Sequence, residues 1–152
     1  MTSWVSREEL LARLDALIWI EEQLFELAGR GMRSPIADTD RQWCAATAQH
    51  HAWRAAQLRS IRPYDVHLVD EGASAPMPDV RAGWVSGPLR AEILRATQAD
   101  PASIPESLRG QLIPCLISEY SRAGADLDPI RDQPVLRVLR IVSFDLAADL
   151  SS

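Results

Sequence analysis

An all-α domain built as a four-helix bundle is the fold this sequence predicts, and three observations carry the prediction. Apolar residues recur at helical spacing in four long segments, and each segment is bounded by capping residues, prolines or glycines. No stretch alternates apolar and polar residues as a half-buried strand does. The 152 residues, 47% hydrophobic and 24% charged, suit one domain spanning 1–152 with a real core.

The first helix is predicted over 6–29. Ser6 followed by Glu9 is a capping-box pair, and Leu10, Leu14, Leu17, Leu24 and Ala28 then recur on one face until Gly29 and Gly31 end it. Asp38 or Thr39 opens the second helix, which runs to about Ser60 and stops before Pro63. Residues 61–88 carry Pro63, Pro76, Pro78 and Pro88 with several glycines, and read as a long crossover. Pro88 starts a short helix, Leu89 to Ala99. Pro105 and Glu106 begin the third long helix, to about Leu127, with Pro114 expected to kink it. Asp132 caps and Pro134 starts the last helix, which continues to about Leu150. The order is two antiparallel helical hairpins joined by a long crossover with a short extra helix.

Composition excludes several function classes. A net charge of −5 argues against a general nucleic-acid binder. All sixteen basic side chains are Arg, and Lys and Asn are both absent. A GC-rich coding sequence of actinobacterial type explains this bias, and the lack of Lys removes Schiff-base chemistry. Cys44 and Cys115 have no C-x-x-C spacing and read as small buried hydrophobes. Arg7, Glu8, Glu9, Arg13 and Asp15 interrupt any signal-like run, and nothing approaches the roughly 18 apolar residues of a membrane span. The expectation is a cytoplasmic protein without a membrane or nucleic-acid partner.

Each residue turns a helix by about 100°, so the apolar arc tells which polar side chains face inward. In the first helix Leu10, Leu14, Leu17, Ile18, Leu24 and Phe25 set that arc, and Glu21 falls near its middle. A carboxylate there is costly unless a partner or a metal satisfies it. The second helix places Trp43, Thr47, His50, Arg54 and Ile61 on one face, with His51 at a boundary. Arg54 is expected to neutralise Glu21 or bind an anionic group. Tyr120 is central in the third helix, flanked by Ile113, Leu116, Ala123 and Leu127, with Glu119 at the edge. The fourth buries Val135, Val138, Leu139, Val142 and Leu146. Asp149 lies on this stripe but near a fraying end, Asp145 flanks it as the better internal acid, and Arg137 and Arg140 face solvent. His67, on the crossover, has no pattern around it.

Three segments, Trp19–Glu26, Gln49–Arg54 and Pro134–Arg140 leading to Asp145, make the chain resemble a family of small actinobacterial proteins with a ferritin-like fold. The resemblance spans nearly the whole chain and implies the bundle. Di-iron members of that fold take a Glu from each of two helices and a Glu-x-x-His from each of the other two. Here Thr47-Ala48-Gln49-His50 has Thr in place of the carboxylate, Asp145-Leu146-Ala147-Ala148 lacks the His, and Tyr120 or Glu119 replaces a firm ligand. The metal site is therefore degenerate. No cofactor is expected, with iron as the alternative.

Three functions follow as expectations. The first is a metal-independent enzyme of specialised metabolism doing isomerisation, cyclisation or elimination on a small molecule. Glu21, His50 and Tyr120 are its catalytic candidates, and Trp43, Thr47, Arg54 and Asp145 its substrate-binding ones. The second is a non-catalytic binding or structural bundle whose inner polar network fixes helix register. The third is a ferritin-like metal-dependent oxidase. A homodimer is compatible with all three.

Overall fold

The computed structural model describes residues 5–62 and 84–151, and every regular element among them is helical. His67 and the prolines at 63, 76 and 78 lie outside the described residues, as does most of the expected crossover.

Helix α1 spans Arg7–Met32. The Ser6 hydroxyl accepts the Glu9 N–H at 3.1 Å, as the capping pair predicts. The helix runs past Gly29 and Gly31, where its end was expected, and no described glycine has a positive φ. Gly31 serves close packing instead. A Cβ there would lie 3.1 Å from Ile104 Cγ2 and 3.3 Å from Cys44 Sγ. Phe25, expected on the inner arc, is 41% exposed. The buried arc extends toward Ile20 and Leu27 because α1 carries neighbours on two sides.

Helix α2, Asp38–Ile61, packs along most of α1. Its buried face runs through Cys44, Thr47, Ala48, His51, Arg54, Ala55 and Leu58, centred one residue later than the sequence suggests. Helix α3, Gly87–Gln98, is capped by Ser86, carries Pro88 in its first turn and buries Leu89, Ile93 and Ala96. A 3₁₀ turn, Pro101–Ser103, leads into α4, Ile104–Ser107.

The expected kink at Pro114 takes another form. A π turn, Leu108–Leu112, lies just before helix α5, Ile113–Gly124, and the Ile113 N–H bonds to the Leu108 carbonyl five residues back. Widening the turn accommodates a proline that supplies no N–H to the ladder. Helix α6 is Gln133–Asp149. Asp132 precedes it without capping it; its carboxylate accepts the Asp128 N–H at 3.0 Å and pairs with Arg131.

Helix α2 packs on α6, α6 on α5, and α5 back on α1, closing a ring of four, while α3 lies against α1 and the π turn. Leu14, Leu17, Ile20, Leu24, Leu58, Leu112, Ile113 and Leu116 are among the side chains withdrawn fully from water. Among the described residues no helix is long and apolar enough to cross a membrane.

Candidate functional site

Within this apolar interior Glu21 has no solvent exposure. Three side chains converge on it. The Tyr120 hydroxyl from α5 donates to Oε1 at 2.5 Å, and His51 Nδ1 from α2 lies 2.5 Å from Oε2. The Nε of Arg54 sits 3.2 Å from Oε1 and 3.3 Å from Oε2. A leucine stripe on α1 drives the carboxylate inward, and neighbouring helices supply the donors that make its burial tolerable.

Arg54 is also fully buried and extends the cluster toward α6. Its Nη1 donates to Asp145 Oδ2 at 2.6 Å and to Asp149 Oδ2 at 2.9 Å. Burial opposes the charge on Arg54. Glu21, Asp149 and the bonds to Asp145 and Asp149 outweigh it, so the guanidinium pKa is raised. Burial first, then the charge and hydrogen bond of Glu21, push the Tyr120 phenol well above its usual range. Tyr120 is thus a neutral hydrogen-bond donor.

His50 is not in this interior. Its side chain is 46% exposed, with Nδ1 2.6 Å from Asp149 Oδ1. The fully buried imidazole is His51, the residue expected at the boundary. Alanines at 45, 46, 48, 52, 55 and 56 give α2 little directional signal, and an arc centred on Trp43 and the half-buried Ile61 falls one residue short. The two acids of α6 exchange parts likewise. Asp149 is 4% exposed and Asp145 36% at the side chain. The end of α6 is held because Trp43 Nε1 donates to the Asp149 carbonyl at 3.1 Å. Trp43 therefore pins α6 and stacks under Arg109, 4.0 Å from its ring centre. Thr47 is buried one turn before His51, with no hydrogen bond to the cluster among the described residues. Glu119 is buried as well and pairs with Arg122.

The hydrogen-bond pattern orients His51. Nδ1 of His51 faces Glu21 Oε2 at 2.5 Å and Arg54 Nη2 at 3.0 Å; the carboxylate calls for a proton on that nitrogen and the guanidinium for a lone pair, and the carboxylate contact is the shorter. With the proton on Nδ1 the lone pair is on Nε2, which is buried and has no hydrogen-bond partner among the described residues. An orphaned polar atom in a well-bonded cluster is energetically costly and is a feature of functional sites.

A cleft of about 440 Å³ opens between α1 and α2 beside this pair. Gln23, Phe25, Ala52 and Ala55 line it, and Glu21 and His51 lie beneath its floor, both closed to water. Glu22 and Arg59 form an ion pair between the two helices at the same cleft. Neither cysteine offers a ready nucleophile, because burial raises the pKa of both thiols. The chain matches no family model, no curated protein and no solved structure.

Proposed function

We propose that this chain is a small-molecule enzyme working by metal-independent acid/base chemistry, with His51 as the base and Glu21 as the group that orients it. The Nε2 of His51, which has no hydrogen-bond partner among the described residues, carries this reading. A buried carboxylate on Nδ1 with a bare Nε2 is the arrangement by which a histidine accepts a proton while its imidazolium form is stabilised. Tyr120 and Arg54 fix Glu21, and the α1–α2 cleft beside the pair offers a substrate room, reaching Nε2 once the side chains that cover it move aside. Isomerisation, cyclisation or elimination at an acidic C–H suits this equipment. The bundle belongs, in this proposal, to the ferritin-like arrangement of two helical hairpins and a crossover, in a cytoplasmic protein of specialised metabolism.

Proton exchange from enolisable ketones and small carbonyl acids in D₂O, followed by NMR, tests the chemistry. Glu21→Gln and His51→Gln should each slow exchange by about 100-fold or more. Rates unchanged in either variant overturn the assignment. So does a ¹⁵N spectrum of the wild-type protein with the His51 proton on Nε2.

One observation favours a second reading. Both oxygens of Glu21 are occupied by Tyr120, His51 and Arg54, as a network that only fixes helix register requires. That network predicts variants that lose stability, with no ligand entering the cleft.

A further inference from the structure

A second group of donors lies on the far side of Arg54 from His51, where α2 meets the end of α6. We propose that His50, Asp145 and Asp149 form a site for a divalent transition-metal cation. One donor atom from each of the three lies within 4.8 Å of the others. A cation held at about 2.0–2.2 Å by nitrogen and oxygen needs its donors roughly 3–4 Å apart, so side-chain shifts of less than about 1 Å complete the set.

Arg54 gives this group its geometry. Asp145 and Asp149 stand one turn apart on α6, and Nη1 of Arg54 holds the Oδ2 of each, at 2.6 and 2.9 Å. A guanidinium bonded to one oxygen of each carboxylate fixes both planes, as hydrogen bonds behind metal ligands do. The other oxygen of Asp149 already faces His50, 2.6 Å from Nδ1. A cation bound there takes the Nδ1 lone pair of neutral His50, whose single proton is then on Nε2.

Charge and access point the same way. Glu21, Asp145 and Asp149 place three carboxylates around the Arg54 guanidinium, surroundings that favour a cation. His50 and Asp145 are 46% and 36% exposed at the side chain, leaving an entry path and positions for water ligands. One nitrogen and two carboxylates select zinc, manganese or ferrous iron over magnesium, which prefers an all-oxygen shell. The site shares Arg54 with the proposed acid/base pair but does not use His51, so each assignment stands or falls alone.

The test is equilibrium dialysis of the chelator-stripped full chain against Zn²⁺, with metal quantified by mass spectrometry. One equivalent should bind, and His50→Ala and Asp145→Asn should each weaken binding on the order of 100-fold, at or beyond the upper end of losses from supporting residues. Circular dichroism confirms that both variants are folded; should one not be, the other decides. His51→Gln should leave zinc binding intact while abolishing proton exchange, which separates failure of this site from failure of the acid/base reading. No saturable zinc uptake by the wild type overturns the proposal. So does uptake insensitive to His50 and Asp145, or uptake lost in His51→Gln.

Discussion

Replacing Arg54 with Met keeps most of that side chain's volume and removes the guanidinium that pairs with Glu21, Asp145 and Asp149. Glu21 then loses its guanidinium and Asp149 its ion pair with Nη1, both as buried carboxylates, while the half-exposed Asp145 turns to water at little cost. Removing one partner of a buried ion pair costs about 3–5 kcal/mol. For a chain of this size each kcal/mol lowers the melting temperature by about 2–4 °C, so Arg54→Met should melt roughly 10 °C or more below the wild type. Urea unfolding followed by circular dichroism measures the loss, with an unchanged m-value showing that the native state is otherwise intact. A double-mutant cycle sharpens it. Glu21→Gln should cost less in the Arg54→Met background than in the wild type, because the uncompensated charge leaves with the carboxylate. A loss under about 1 kcal/mol, or strict additivity with Glu21→Gln, refutes the idea that Arg54 neutralises this interior.

Further outcomes follow from other parts of the molecule. The Tyr120 proton is held more tightly in the folded state, so its contribution to stability is intact below pH of about 10 and declines as pH rises further. Spectroscopic titration of the two tyrosines should show one phenol resisting ionisation until the protein unfolds, a phase that Tyr120→Phe removes. Gly29→Ala meets no atom within 4 Å and should stabilise by about 0.5–1 kcal/mol, measured by thermal melting. Gly31→Ala presses on Ile104 and Cys44, and crowding worth about 1–3 kcal/mol outweighs the same backbone gain, so the melt should move down. Trp43→Phe removes the bond to the Asp149 carbonyl and should cost about 1 kcal/mol, with faster amide exchange over the last turn of α6.

The all-helical architecture and the burial of Glu21, Arg54 and Tyr120 were legible because leucines mark the inner arc of α1 and aliphatic side chains that of α5. In α2 alanines fall on both faces, Ala48 and Ala55 buried and Ala46, Ala52 and Ala56 exposed, so periodicity could not separate His50 from His51. The signal available was Cys44, Thr47, Ala48, Ala55 and Leu58, all small or aliphatic and all in phase with His51. Asp149 was misjudged for another reason. Fraying at a helix end is opposed here by Trp43, a contact 106 residues distant in sequence that no local pattern carries. Gly29 and Gly31 looked like stop signals, yet only contacts from Ile104 and Cys44 reveal that Gly31 permits close approach.

The π turn ahead of Pro114 has a bearing on how this site is kept in phase. A surplus residue in a helix rotates everything after it by about 100° relative to what came before. Leu108–Leu112 is therefore the setting that decides which side chain of α5 meets Glu21. Gly110, whose Cα faces open space, is the natural residue to lose. Its deletion would rewind the turn and carry Tyr120 off the carboxylate by about a quarter revolution. A single-codon change far from the cleft thus has the reach of an active-site substitution, and the segment acts as an index mark between two rigid lengths of helix.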